Sequence, residues 1–582
     1  MKRELPIGVS DFEKVITGNY AYADKTLFIK ELIKGKVEVT LFPRPRRFGK
    51  TLNLSMLKYF FEKTDISKRH LFDGLAISNY PEIMANQGQY PVIFMTFKDV
   101  KAPTWSECYE KITSIISREC KRHKTCIDAL SESEQEIFQA LINKTASKGD
   151  CEDSLLLLSQ LLYSQFNAKV VLLIDEYDTF IHEAYLNGYY DDAIGFARNF
   201  FSAGLKDNNY LQQSVITGIL RVAKESIFSG LNSLEVCTFL GIHYTDKFGF
   251  LESEVLSLLS EYDRADQIDA VRTWYNGYES GKHHIYNPWS IITFLRQEGA
   301  FAPYWVNTGK SDLIKKLVIG DQKQLREDLD MLMTGKYIVK KVDEDIVFSR
   351  LDRDPNVIWS FLLFTGYLTF RQATIVPSDT SKKPALTETS SSPATPVLPV
   401  STYQTVELYI PNTEIFSLFE SVVGEWLRDT IDIKSQEQML KHLVAGEIEP
   451  FKNFFSDFVR ESLSVFDVSG KEPELFYHAF VLGMLIGLRN THEIKSNRES
   501  GYGRYDVMII PRDNSKPGII IEFKKVVPEY KETLKTAAHA ALEQIANRDY
   551  ATELRTRGIK QIIELAIVFA GKRVLVQQAK NS

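Results

Sequence analysis

The sequence has few cysteines, no long apolar run and little net charge, and each shortage removes a class of protein. Cys108, Cys120, Cys126, Cys151 and Cys237 form no CxxC pair in 582 residues, so neither a disulfide scaffold nor a zinc ribbon fits. Thiols this sparse suit a reducing compartment, and the expected location is cytoplasmic. No stretch reaches the ~18 uninterrupted apolar residues that span a bilayer. The opening MKRELPIGVSDFEK has no apolar segment behind its basic residues, so neither a signal peptide nor a membrane partner is expected. No internal repeat is evident, which sets aside solenoids and propellers. Apolar residues make up 44% and charged residues 25%, ordinary globular usage that excludes wholesale disorder or a coiled-coil rod.

What is present is length and an uneven charge. A chain of 582 residues suggests about three to five domains. The net charge of −6 is too near neutral to declare a nucleic-acid binder, yet it is not evenly spread. Residues 471–582 hold 18 basic and 13 acidic side chains, an excess of +5, so residues 1–470 carry −11. The C-terminal portion is the better candidate for a polyanion partner.

In the first half, VEVTLF at 37–42, PVIFMTF at 91–97, KVVLLIDEY at 169–177 and QSVITGI at 213–219 alternate with helix-length segments. Near-continuous apolar strands separated by helices predict a parallel sheet covered on both faces. From about 250 to 370 the pattern turns helical and aromatic, with WYNGYES at 274–280, YNPWSIITFL at 286–295 and FLLFTGYLTF at 361–370. A Ser/Thr/Pro tract at 376–404 follows, poor in packing residues. It reads as a linker or, because TGYLTF and VELYIPN on either side both read as strands, as a disordered hairpin tip, and the hairpin is favoured. Amphipathic helices run to about 465. A last α/β unit at 474–570 starts with a helix, continues with strands near 491–496, 504–510 and 518–524, and ends with a helix at 532–551 and a strand at 561–569.

The first chemical candidate follows VEVTLF. Gly49, Lys50 and Thr51, after a strand and at a helix start, are the essential half of a phosphate-binding loop. Backbone N–H groups cradle phosphates, Lys50 reaches the β- and γ-phosphates, and the Thr51 hydroxyl ligates Mg2+. The full pattern needs glycine at position 44, where this chain has Arg44, and a basic loop capping a helix is an equal reading of GKT alone. Further on, KVVLLIDE ends a strand in Asp175 and Glu176, where such folds carry a second acidic motif. Asp175 would hold Mg2+ and Glu176 would serve as general base toward water. QSVITGI ends in Thr217, with Arg221 following. These read as a γ-phosphate sensor and a charge-neutralising arginine, or equally as a helix cap and a surface cation. Arg46 and Arg47 could clamp phosphates, pair with acids or contact a partner.

The segments LPIGVSDFEKV, YAYADKTLFIKELI, FPRPRRFGKTLNLSMLKYFF, VVLLIDEYDTFI and SVITGILRVAKESIFSGLNSL, with WYNGYES and YNPWSI, closely resemble AAA-ATPase-like proteins whose loop reads RPRRFGK followed by Thr or Ser. The resemblance covers about residues 5–300. It implies a P-loop NTPase fold that binds ATP with Mg2+, it accounts for Arg44, which that family shares, and it sets Asp24 and Lys25 near the nucleotide. Nucleotide binding follows from it more firmly than turnover.

The second candidate lies in the last unit. GRYDVMII carries Asp506, and IIIEFKK carries Glu522 and Lys524 on one face of a strand. Two carboxylates and a lysine suit Mg2+-dependent phosphodiester cleavage: Asp506 and Glu522 as metal ligands, the Phe523 carbonyl as another, Lys524 orienting water or stabilising charge. A buried ion-pair cluster is the structural alternative. This Asp, Glu-x-Lys arrangement resembles the PD-(D/E)xK nuclease superfamily over about residues 474–570, which implies a restriction-endonuclease-like α/β domain. Glu474 on the first helix matches a position from which such enzymes add a carboxylate. His478 lies one turn from Glu474 on the same face, with a core or capping histidine as the alternative. Gln544 and Tyr550 on the following helix are wall candidates, or plain helix surface, and Arg498, Arg504, Lys525, Lys531 and Lys535 are phosphate-contact candidates, or a solvated face.

The expected class is therefore α/β multidomain. A P-loop NTPase domain with a parallel sheet occupies 1–245, a mainly helical, lid- or winged-helix-like middle 246–465 includes the 376–404 insertion, and a nuclease-like domain covers 466–582. The expected cofactors are ATP and Mg2+, with Mn2+ an alternative at the nuclease site. The expected partner is nucleic acid, DNA ahead of RNA, and a homo-oligomer is left open. The competing hypothesis is a nucleotide-dependent switch or scaffold that grips nucleic acid or protein without cutting.

Overall fold

The computed structural model describes residues 2–221, 234–305, 328–344, 354–375, 404–421, 433–465, 481–488, 491–500, 503–526, 533–570 and 573–579, apart from 330, 334, 420, 482 and 483. Glu474, His478, Lys531 and the Ser/Thr/Pro tract at 376–403 lie outside these residues. The chain divides into two compact units, residues 1–309 with 337–415, and residues 310–336 with 416–582. The expected boundaries near 245 and 465 both fall inside a unit. Among the described residues, no helix is long and apolar enough to cross a membrane.

The first unit is built on a parallel sheet of β1 (Val39–Pro43), β2 (Val92–Thr96), β3 (Val170–Asp175), β4 (Leu211–Gly218) and β5 (Leu234–Val236), in the order β2-β3-β4-β1-β5. Every neighbouring pair runs parallel. The four strands expected from sequence are present to within about two residues at each end, and β5 is an addition. Their apolar runs have a physical cause: β1 and β3 are buried along their whole length, as a sheet covered on both faces requires. The core joins Phe42 on β1, Val171 and Leu173 on β3, and Leu54, Leu57 and Phe60 on the Lys50–Phe61 helix. The register sets Thr96 beside Asp175 and Pro43 beside Gly218, so the ends of β1 to β4 share one carboxyl edge. Open α/β sheets bind ligands at that edge.

The middle is mainly helical with two small antiparallel sheets. β6 (Phe250–Leu251), β7 (Tyr278–Ser280) and β8 (His283–Tyr286) form one, and β9 (Ile338–Val342), β10 (Thr369–Ile375) and β11 (Gln404–Tyr409) form the other. β10 and β11, the strands flanking the Ser/Thr/Pro tract, pair antiparallel with each other from Thr369 opposite Tyr409 to Ile375 opposite Gln404. The aromatic motifs have structural tasks here. Asn287 caps the Pro288–Arg296 helix by accepting from the Trp289 and Ser290 N–H groups, with Pro288 in the first turn, where its missing donor costs nothing. Ser290 Oγ donates to Glu414 Oε2 at 2.7 Å, and the Trp305 N–H donates to Glu414 Oε1 at 2.7 Å. Asn412 Nδ2 donates to the Asn276 carbonyl at 2.7 Å. Gly277, at φ +104°, passes so close to Pro411 that a Cβ would fall 2.1 Å from its carbonyl oxygen, so only glycine fits there. WYNGY and YNPWS thus converge on the 411–414 segment.

The second unit carries a mixed sheet of β12 (His492–Ser500), β13 (Gly503–Pro511), β14 (Gly518–Lys525), β15 (Ile562–Ala570) and β16 (Arg573–Gln578), in that order. Only β14 and β15 run parallel, and the Leu534–Arg548 helix makes the crossover between them. That helix turns Ala537, Ala538 and Ala541 onto Ala566 and Val568, small residues that allow a close approach. Phe455 of the Ile448–Val465 helix meets Phe569 with ring centres 6.3 Å apart. Strands β12 to β15 match expectation, and β16 is an addition.

Candidate functional site

The loop after β1 ends at Gly49, whose φ of +85° is left-handed, and the Lys50–Phe61 helix begins there without a side-chain cap. Its first N–H groups are therefore left for an anion. Lys50 is 4% exposed and donates to the carbonyls of Arg44 at 2.9 Å and Pro45 at 3.0 Å. An ammonium has three donors, so one remains for a phosphate oxygen. Burial holds Lys50 below the ordinary lysine value, the expected effect on a cation whose hydrogen-bond partners are neutral. Arg47 at φ +70° and Glu176 at φ +51° are also left-handed, a conformation that costs a non-glycine residue about 1–2 kcal/mol.

Arg44 stands where the general loop has glycine, and it turns away from the phosphate side. It is 1% exposed, donates to the Pro43 carbonyl at 2.8 Å and the Cys237 carbonyl at 2.5 Å, and lies over the Phe248 ring. Burial pushes it down to about 10. Arg44 is thus a strut between the ends of β1 and β5.

Asp175, fully buried, accepts three hydroxyl hydrogen bonds: from Thr217 on Oδ1 at 2.7 Å, and from Thr51 at 2.9 Å and Thr96 at 3.2 Å on Oδ2. Burial and the neighbouring Glu176 raise its pKa, while the Thr217 and Thr51 hydroxyls oppose the rise. Thr217 therefore reaches the site through Asp175, and its hydroxyl also receives the Glu176 N–H at 3.3 Å. Asp178, in the same DEYD run, accepts the Ile219 and Leu220 N–H groups at 2.8 and 2.9 Å, and burial pushes it up to about 6.

A cavity of about 300 Å3 opens over this loop, lined by Arg46, Arg47, Gly49, Lys50, Thr51 and Glu176 together with Lys98, Lys101 and Trp289. Lys25 and Lys247 also line it, but they are committed to Glu254, and to Glu31 and Asp246, respectively. Arg47 stacks on Trp289 at 4.1 Å. Asp24 faces elsewhere, accepting from the Thr26 and Ala76 N–H groups. Arg221 does not line the cavity; the sequence reading missed Lys98, which does. It also missed Thr96 and Trp289. PVIFMTF reads as a strand, and its polar end is the sequence signal that points to Thr96. A buried lysine bonded to neutral carbonyls, an uncapped helix start and a cationic cavity at the lower end of ligand-pocket volumes fit a nucleotide triphosphate.

The second site forms where two strands part. The β13 and β14 ladder pairs Ile509 with Ile519, Met508 with Ile520 and Val507 with Ile521. Just beyond, Asp506 Oδ2 accepts the Phe523 N–H at 2.7 Å, so a side chain takes up a donor at the point where the strands separate. Glu522 is 1% exposed. It faces the Leu534–Arg548 helix, where Gln544 Nε2 donates to its Oε1 and contacts the Tyr550 hydroxyl at 3.3 Å. Burial raises the Tyr550 pKa. Lys524 Nζ lies 3.7 Å from Glu522 Oε1, while Phe523, on the opposite face, stacks on Phe569. The structure thus brings Asp506, Glu522 and Lys524 to one place, with Gln544 and Tyr550 beside Glu522. Hard oxygen donors at a strand fork suit a divalent ion. Among the described residues no group of three His, Cys, Asp or Glu is close enough to hold a metal, and Glu474, expected to add a carboxylate, lies outside them. Arg498 and Arg504 sit on the paired strands β12 and β13.

Residues 6–228 match the family model described as Predicted AAA-ATPase, and residues 472–579 match that of the PD-(D/E)XK nuclease superfamily. Over 570 residues, 96% of this chain and 95% of the relative, the sequence is 24% identical to an Azotobacter chroococcum mcd 1 protein described as "Uncharacterized protein in vnfD 5'region". Domains of these two kinds generally use ATP and divalent metals. The chain joins an N-terminal AAA-ATPase-like domain to a C-terminal domain of the PD-(D/E)XK nuclease superfamily.

Proposed function

We propose that the protein binds and hydrolyses ATP with Mg2+ at the loop after β1, and that its C-terminal site cleaves phosphodiester bonds of DNA with Mg2+ or Mn2+ under control of the bound nucleotide. The observation that carries the nuclease reading is the grouping of Asp506, Glu522 and Lys524 at the fork of β13 and β14. A pure binding module has no need of two carboxylates and a lysine there. The excess of basic residues in 471–582 supports a polyanionic substrate.

At the nucleotide site, Lys50 and the helix N-terminus neutralise the phosphates, Thr51 and Asp175 would hold the cation, and Glu176 takes a proton from the attacking water. A bound Mg2+ would neutralise charge on the phosphate oxygens. At the second site Asp506 and Glu522 would hold the divalent ion, whose chemistry there would be to activate water toward phosphorus. Gln544 keeps Glu522 oriented, and Lys524 stabilises charge as water adds to phosphorus and the bridging oxygen leaves.

Incubating the purified chain with DNA and RNA substrates, in Mg2+ or Mn2+, with and without ATP, tests the reading. Cleavage of DNA that changes with ATP is expected. Intact substrates under every condition reject the nuclease reading and leave the switch or scaffold.

A further inference from the structure

We propose that Thr96 is a positioning residue of the nucleotide site, holding Asp175 toward the cation when Mg2+ and nucleotide are bound; this rests on the ATP-binding reading above. Asp175 is fully buried, and Lys50 acts on it only as a charged neighbour, its ammonium being bonded to the Arg44 and Pro45 carbonyls. A buried carboxylate is kept ionised and aimed by its hydrogen bonds. It offers about four lone-pair sites, and three are taken by hydroxyls.

The three hydroxyls are not equivalent. Thr217 holds Oδ1, and Thr51 and Thr96 share Oδ2. Thr51 belongs to the phosphate-binding helix and must also turn a lone pair to the cation, so its position is set by the ligand. Thr96 is set by the scaffold: it ends β2, and its Cα is the register partner of Asp175 on β3. The Phe97 N–H donates to the Asp175 carbonyl at 2.9 Å, which fixes the two strand ends together. The Lys98 N–H approaches Thr96 Oγ1 at 3.4 Å, occupying a lone pair so that the hydroxyl proton is left for Asp175. A rigid partner on the oxygen shared with Thr51 prevents the carboxylate from swinging when Thr51 engages the ion.

The same turn carries Lys98 and Lys101 to the cavity wall, so the end of β2 is a third arm of the site beside the loop after β1 and the end of β3. Loss of the Thr96 hydroxyl therefore acts through the cation, and phosphate binding by Lys50 and the helix N-terminus is untouched.

Calorimetric titration of ATP into the full chain, once in Mg2+ and once in EDTA, tests this with Thr96→Val, Thr96→Ala and Thr96→Ser. The expected result is about a tenfold loss of affinity in Mg2+ for the valine and alanine variants, the magnitude of one hydrogen bond to a charged group. No more than a twofold change is expected in EDTA, and serine restores the wild-type value. An equal loss with and without Mg2+, or unchanged affinity in Mg2+, overturns the proposal while wild-type binding keeps the nucleotide reading. Wild-type protein that binds no ATP overturns that reading itself.

Discussion

Asp175 is held by three hydroxyls at the carboxyl edge of a parallel sheet, whereas Asp506 and Glu522 stand where two antiparallel strands part, steadied by a backbone N–H and a glutamine. The cations differ as well. Lys50 is buried against neutral carbonyls and holds a donor in reserve for a ligand, while Lys524 lies beside its own carboxylate. On the function proposed above, the first site would receive an anion that arrives with a cation, and the second would gather a cation on two carboxylates with Lys524 beside them.

The largest effect that separates the two belongs to Lys50→Ala. Removal of a charge-assisted hydrogen bond worth about 1.5–3 kcal/mol lowers ATP affinity by about 10–100-fold in calorimetry. DNA cleavage measured without ATP stays at the wild-type rate. Gln544→Ala is the counterpart at the second site: a partner that orients a metal ligand typically contributes about 10–100-fold in activity or metal affinity, so cleavage falls and the Mn2+ midpoint rises, with ATP affinity unchanged. If either variant damages both activities equally, the two sites are not separate in the way described.

Arg44→Gly restores the general loop pattern and sharpens the comparison differently. Because Arg44 is a strut on the Pro43 and Cys237 carbonyls, the change destabilises the first unit by about 2–4 kcal/mol through lost packing and unpaired acceptors. Thermal unfolding measures this, and equal or higher stability refutes the strut. The smallest effect is a pH dependence. Asp178, near 3.8 when unfolded, is pushed up to about 6 by burial. The folded state thus binds the extra proton between these values, and stability falls as pH rises from about 4 to about 6, then levels. Asp178→Asn removes that share of the decline, seen as a smaller fall in Tm between pH 4.5 and 7 than in wild type.

Legibility in the sequence followed the distance over which each feature is encoded. The GKT turn, the IDE strand end and the IIIEFK strand are local, and all three lie on the elements their patterns predict. The apolar runs that mark β1 to β4 follow from burial on both faces, which leaves a trace in every residue of the strand. The direction of Arg44 is not encoded locally, because it depends on Cys237, far along the chain. The clamp on Asp175 likewise draws hydroxyls from three strand or helix ends, and a threonine at a strand end carries no mark of the neighbour it will meet. The fork of β13 and β14 depends on where their pairing stops, which alternation alone does not reveal.

The most direct test of the central account is one assay of DNA cleavage in Mn2+ on wild type, Asp506→Ala and Lys50→Ala, with ATP binding measured on the same preparations. The account predicts that Asp506→Ala retains ATP affinity and leaves DNA intact, and that Lys50→Ala cuts DNA at a rate ATP no longer changes. Cleavage by Asp506→Ala at the wild-type rate would contradict it.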